Sequence, residues 1–295
     1  MTTAVTAELR RIDRATVARY FDQLSSWLLP GDFYGVHHTW PQLYRSDGDG
    51  CFLTAFIGDR MVSHCAYRTA TVRTSQGSRR VALLGSVATD PEWRQRGLAS
   101  QLVNVAIDDC RDRGIQAVLL WAQSPGLYRK TGFVSGPEEP TYRLEIDPHQ
   151  PADARVRLAT IDDHHRLHEL HEQKPLGIER EMAAMTGLLT TPGMWTCVLE
   201  EDGQVQSYAC LGKGADLQNW WHEFGGRDEH VAALLPAASR LVGRASSSVL
   251  WPHYRNPLSE LLGAATSAVA PTPGPMINLL QGDLPAFWID GLDSV

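Results

Sequence analysis

The sequence runs to 295 residues, with 43% hydrophobic and 21% charged residues and a formal net charge of −7. That length exceeds what one core usually organises, which predicts two units, and no stretch approaches the roughly 20 apolar residues of a membrane span. The acidic balance excludes a broad basic footprint for nucleic acid and suits a neutral or cationic partner.

Met1-Thr2-Thr3-Ala4-Val5 leads into Arg10, Arg11, Asp13 and Arg14 without an apolar signal core, which predicts a cytoplasmic protein. Five cysteines, Cys51, Cys65, Cys110, Cys197 and Cys210, are odd in number and lack C-x-x-C spacing, so reduced packing residues are expected rather than disulfides or zinc ligands. Residues 8–12 read as a strand. Residues 15–29 carry Val17, Phe21, Leu24 and Leu28 at helical spacing, and Pro30-Gly31 ends that helix. Residues 32–46, rich in aromatics and histidines without a period, are expected to be a loop with a short helix that shapes a pocket.

Two β-rich runs, 51–57 and 61–73, meet at Gly58-Asp59 and predict a hairpin. A strand over 81–89 breaks at Asp90-Pro91, a helix over 98–113 ends at Gly114, and 115–121 reads as a buried strand. The second half repeats this order. It has a strand at 155–158, a helix from Thr160 and Asp163 to about Glu172, a hairpin of 195–199 and 205–211, a strand at 217–224, a helix at 230–242 and a strand at 247–250. The fold class is therefore α/β, with a mixed α+β sheet in each of two tandem domains, 1–147 and 154–295. Pro148 and Pro151 flank His149-Gln150 in the linker between them.

The chemistry concentrates where the strand ending in Val87-Ala88-Thr89 meets Arg94-Gln95-Arg96-Gly97-Leu98-Ala99-Ser100. A strand running through a basic turn into a helix directs unpaired N–H groups and the positive end of the helix dipole at one point, which suits a diphosphate. Gly97 admits close approach, Ala99 is small, and Arg94 and Arg96 add positive charge.

These residues resemble the GCN5-related N-acetyltransferase (GNAT) family, whose Arg/Gln-x-x-Gly-x-Gly/Ala pattern is met by Arg94, Gly97 and Ala99. Leu127-Tyr128-Arg129-Lys130-Thr131-Gly132-Phe133 resembles the family's tyrosine-containing ending, about thirty residues downstream. The resemblance implies two GNAT-like domains and acetyl-CoA as co-substrate, with no metal. It implies main-chain contacts from Val87, Ala88 and Thr89 to the pantetheine arm. It also implies direct acetyl transfer to a primary amine, with Tyr128 as the general acid that protonates the departing thiolate. One departure is the short Ala122-Gln123-Ser124-Pro125-Gly126, where family members often have an Asn and a longer helix.

The second half has no such cradle, because Gly225-Gly226-Arg227-Asp228-Glu229 presents two carboxylates, so one cofactor site is expected. Tyr34, His37, His38 and Trp40 are candidates for the acceptor site or for closing the core, and Glu223 for a substrate or base role, for facing solvent or for a pair with Arg227; Asp32, Glu138 and Glu139 are similar acidic candidates. His164, His168 and His171 share a helical face that lacks H-E-x-x-H spacing and is expected to be solvated. The partner is a small-molecule amine, with the protein a monomer or homodimer. The competing reading is a non-catalytic acyl-CoA sensor.

Overall fold

The computed structural model describes residues 7–45, 48–147, 149–151 and 153–295; the expected linker lies in part outside them, at Pro148 and Ala152. After β1 (Glu8–Ile12), Asp13 caps α1 (Arg14–Ala18) by accepting the Thr16 N–H at 2.7 Å. The single helix expected over 15–29 is two, because Tyr20 leaves helical geometry (φ −113°, ψ 8°) before α2 (Phe21–Leu28). The aromatic segment forms two one-turn helices, α3 (Val36–Thr39) and α4 (Pro41–Tyr44), joined at Trp40. A meander follows in β2 (Cys51–Ile57), β3 (Arg60–Thr74) and β4 (Gly77–Thr89). Then come α5 (Leu98–Asp112), β5 (Ala117–Leu120), α6 (Gly126–Lys130), β6 (Val134–Ser135) and β7 (Thr141–Glu145).

The second half begins with β8 (Val156–Leu158), the Thr160–Asp163 capping box and α7 (His164–Glu172). It continues through β9 (Gly177–Ile178), α8 (Met182–Leu189), β10 (Trp195–Glu201), β11 (Gln204–Lys213), β12 (Asp216–Gly226), α9 (Asp228–Leu241) and β13 (Ser246–Leu250). It ends in α10 (Leu258–Leu262), β14 (Thr266–Ala268), β15 (Met276–Leu279) and a strap to Val295. Among the described residues no helix is long and apolar enough to cross a membrane.

Two mixed sheets result, ordered β1-β2-β3-β4-β5-β15-β6, with β9 on β3, and β8-β10-β11-β12-β13-β7-β14. The orders correspond strand for strand, and each sheet has one parallel pair, β4 with β5 and β12 with β13. The sixth place in each is filled from the other half. β15 pairs with β5 and β6 in the first sheet, while β7 pairs with β13 and β14 in the second. The strand Thr141–Glu145, on the amino-terminal side of residue 147, thus belongs to the second sheet.

α5 covers one face of the first sheet, burying Leu98, Leu102, Val103 and Ile107 against Val62, Ala82 and Val118. The opposite face is covered by α2, α3 and α4 over β2 and β3, and by Ile178, Phe287 and Ile289 over β4 and β5. α9 plays the role of α5 in the second sheet, burying Val231, Leu234 and Leu235 against Leu211, Trp221 and Val249. All five cysteines are free thiols and only Cys51 is even half-exposed.

Candidate active site

β4 and β5 run side by side only from Val81–Leu83 against Ala117–Leu119. β4 continues to Thr89, so its β5-facing edge beyond Leu83 has no strand partner and the two strands open into a V. On the β3 side the ladder jumps from Ala66↔Gly85 to His64↔Ala88, setting Ser86 and Val87 opposite Cys65 in a bulge with Ser86 at φ +51°. A bulge re-aims the backbone groups around it. Buried partners fix it: Tyr44 Oη hydrogen-bonds Ser86 Oγ and lies 3.2 Å from His64 Nε2, and Ser63 Oγ–H donates to Ala88 O at 2.9 Å. Burial holds the His64 imidazole down to about 3, so it serves this network neutral.

The end of β4 passes into the basic turn through Asp90, whose carboxylate accepts the Glu92 N–H at 3.0 Å and pairs with Arg60 at 2.8 Å. Gln95 (φ +62°) and Gly97 (φ +76°) both adopt the left-handed conformation, which winds the chain into α5. The first intrahelical bond is Gln101 N–H to Gly97 O at 3.0 Å, so the N–H groups of Leu98, Ala99 and Ser100 have no helical acceptor. A Cβ on Gly97 would meet only Gln101 Nε2, at 3.8 Å, so the front of the turn is open. Both arginines fold back on the turn: Arg94 Nε–H donates to Thr89 O, and the Arg96 guanidinium stacks 4.3 Å from the Trp93 ring centroid. The main chain is therefore the part presented to an anion, with two positive charges flanking it.

Tyr128 stands in α6 with its carbonyl held by the N–H groups of Thr131 and Phe133, each at 3.0 Å. Its ring packs edge-on to Phe133 and against the core that contains Leu84 and Leu120. The hydroxyl makes no hydrogen bond among the described residues, and burial pushes it above the ordinary phenol value of 10.0, so it is a protonated donor. The open β4 edge, the turn's N–H groups and a protonated phenol suit a thioester cofactor with a phosphate-bearing tail.

In the second half the corresponding features are closed. β12 and β13 pair only at Trp220↔Ser248 and Trp221↔Val249, but Arg255 enters the gap and donates to Gly226 O at 3.1 Å and Phe224 O at 3.4 Å. The start of α9 is taken by Asp228, which pairs with Arg255 at 2.6 Å and accepts the Asn256 N–H at 3.0 Å. Gly225 packs against the Tyr208 ring with no space for a Cβ. Asp228 and Glu229 thus put two carboxylates in the first turn of α9, where a diphosphate would meet repulsion.

Of the acceptor candidates of the first half, Tyr34 sits at the junction of the two halves, beside Asp32 and Thr39. The half-buried Tyr34 ring rests on Gly193, Asp32 accepts from Gln218 Nε2 at 3.1 Å, and Thr39 Oγ1 accepts the Ala215 N–H. His37 stacks on Phe21, and Trp40 packs in the α2–α4 core. Glu223 does not meet Arg227, which pairs with Glu229. It is fully buried and forked by Arg180 (2.6 and 2.7 Å), with Tyr208 Oη–H donating at 2.8 Å and Lys174 at 3.4 Å. The histidine face expected to be solvated is instead turned inward. His171 is fully buried and donates from Nε2 to Ile178 O at 2.7 Å, His164 is buried, and His168 bonds Arg180 O. His171, Glu223 and Asp290 lie close enough to hold a metal, but Lys174 and Arg180 supply the positive charge there.

Residues 10–135 match the family model for an acetyltransferase (GNAT) domain. No curated protein matches the sequence. Among solved structures, a GCN5-related N-acetyltransferase from Anabaena variabilis is 13% identical with a TM-score of 0.70, over 94% of this chain and 73% of that one. One from Kribbella flavida is 19% identical with a TM-score of 0.64, over 94% and 72%. Eis1 from Mycobacterium abscessus is 16% identical with a TM-score of 0.65, over 93% and 74%. At these identities the likeness is one of fold. The segment that is similar to a GNAT acetyltransferase domain contains the β4–β5 splay, the turn before α5 and Tyr128.

Proposed function

We propose that the protein transfers the acetyl group of acetyl-CoA directly to the primary amine of a small molecule, within a ternary complex. The observation that carries this reading is the open edge of Gly85–Thr89 leading straight into the unpaired N–H groups of Leu98, Ala99 and Ser100. Val87, Ala88 and Thr89 hold the pantetheine arm, and Arg94, Gln95, Arg96, Gly97, Leu98, Ala99 and Ser100 hold the diphosphate. Acetyl-CoA supplies the activated carbonyl. Tyr128 gives its proton to the thiolate as the amine nitrogen bonds to carbon, and the amine loses a proton to solvent. The domain over 1–147 does this work. The domain over 154–295 is a degenerate repeat that contributes β15 and the face opposite α5, as a cytoplasmic monomer or homodimer.

CoA release from acetyl-CoA across a panel of amines tests the reaction. Tight CoA binding by calorimetry with no release for any amine would favour a sensor instead. Gly97→Asp is expected to weaken CoA binding roughly tenfold or more, because it sets a carboxylate where the diphosphate is placed and strains a left-handed position. An unchanged dissociation constant would remove the cradle from this assignment.

A further inference from the structure

A buried carboxyl beside the splay is left unused by the transfer chemistry. Trp121, the residue after β5, packs on the face opposite α5 together with Phe287 and Ile289, and its Nε1–H donates to Glu139 Oε1 at 3.3 Å. Glu139 is only 7% exposed, and no Lys or Arg pairs with it among the described residues. It lines a small cavity with Glu138, His253, Phe287, Trp288 and Ile289. Leu120 pairs with Met276, Met276 with Ser135, and Gly136 N–H donates to Pro275 O, so the cavity stands at the carboxyl end of β5, where β4 and β5 part.

Charge, size and surface restrict its occupant. Two acidic residues, Glu138 and Glu139, line it with no Lys or Arg, and burial holds the His253 imidazole below its ordinary 6.5 and so neutral. The space admits one water-sized group. The walls include Trp288 and Phe287, whose rings attract a cation. Burial pushes the Glu139 carboxyl up to about 7 against the Trp121 hydrogen bond, the state of an acid that lacks a cationic partner.

We propose that this cavity is a subsite for one ammonium group of the acceptor, anchored by the Glu139 carboxylate, and that the acceptor class is a small amine carrying a second cationic centre. Its place in catalysis rests on the acetyltransferase reading; its binding of an ammonium does not. The test is calorimetric titration with putrescine and n-butylamine, which share a carbon chain and differ by one ammonium, with CoA release followed in parallel. The wild-type protein is expected to bind putrescine at least about tenfold more tightly. Glu139→Gln should bring the two within about twofold, while Glu139→Asp, which keeps the charge, retains part of the preference; thermal midpoints check that both variants fold. Equal binding by the wild-type protein, an unchanged preference in Glu139→Gln, or no binding of either amine overturns the subsite and leaves a water site only. Selective putrescine binding without CoA release refutes the transferase reading and leaves the subsite standing. Acetylation of both amines at equal efficiency does the reverse.

Discussion

Tyr128→Phe is expected to lower kcat by about a hundredfold or more while acetyl-CoA affinity stays within about twofold. Proton donation by a placed side chain contributes on the order of 10²–10⁴ in rate, and the phenol is needed only as charge develops on sulfur. The ring, which packs on Phe133, is preserved in the variant, so cofactor binding keeps its wall. Burial raises the Tyr128 hydroxyl above 10.0, so the acid stays protonated across the neutral and moderately alkaline range. The wild-type rate is therefore expected to show no alkaline decline from Tyr128 below pH 10. Steady-state kinetics across pH, paired with calorimetry, check both statements. A Phe variant losing affinity and turnover in equal measure would make Tyr128 a binding residue.

The strand, turn and helix of the proposed cradle were legible in the sequence because their determinants are local. Gly97 must take a positive φ, the breaker Asp90-Pro91 must end β4, and Leu98 to Arg113 must present an apolar stripe, all readable within thirty residues. The bulge at Ser86 was not legible, since it depends on Tyr44 and His64 reaching it from distant elements. Neither was the exchange of β7 and β15, because period and turn chemistry mark a strand but not the sheet that it joins.

Residues 253–295 carry little period, yet they supply β15, the Arg255 plug and the strap that brings Asp290 and Asp293 inward. Glu223 and the α7 histidines were legible as residue types and misplaced in environment. The partners that bury them, Lys174 and Arg180, lie in a segment whose only signal was charge, and charge is usually solvated. The environment of Glu139 is illegible for a related reason: its cavity is walled by residues from both halves.

The buried ion cluster yields the second large effect. Glu223, Asp290 and Asp293 are matched by Lys174, Arg180 and Arg68, with Arg180 bonding both Glu223 and Asp293 at 2.6 Å and Arg68 reaching Asp293 at 2.9 Å. These residues come from β3, the segment flanking β9, β12 and the strap, so the cluster ties the first sheet to the second. Glu223→Ala leaves Arg180 and Lys174 under-compensated in a dry interior, which costs about 3–5 kcal/mol and lowers the thermal midpoint by roughly 10 °C.

Burial alone would raise the Glu223 carboxyl, but the Arg180 and Lys174 charges hold it well below 4.5, and Arg180 and Arg68 likewise hold Asp293 below 3.8. Both folded values are depressed, so their stabilisation is complete above the unfolded values and is lost as pH falls through the folded ones. Burial of His171, His222 and His64 in the neutral form acts in the same direction from pH 6.5 downward, and among the described residues only the Glu139 carboxyl, raised to about 7, opposes it. Wild-type stability is thus expected to fall on acidification, and Glu223→Ala to flatten that fall. Denaturant melts at neutral pH and near pH 4.5 check this. A Glu223→Ala protein as stable as wild type but catalytically dead would instead move Glu223 from the frame into the chemistry.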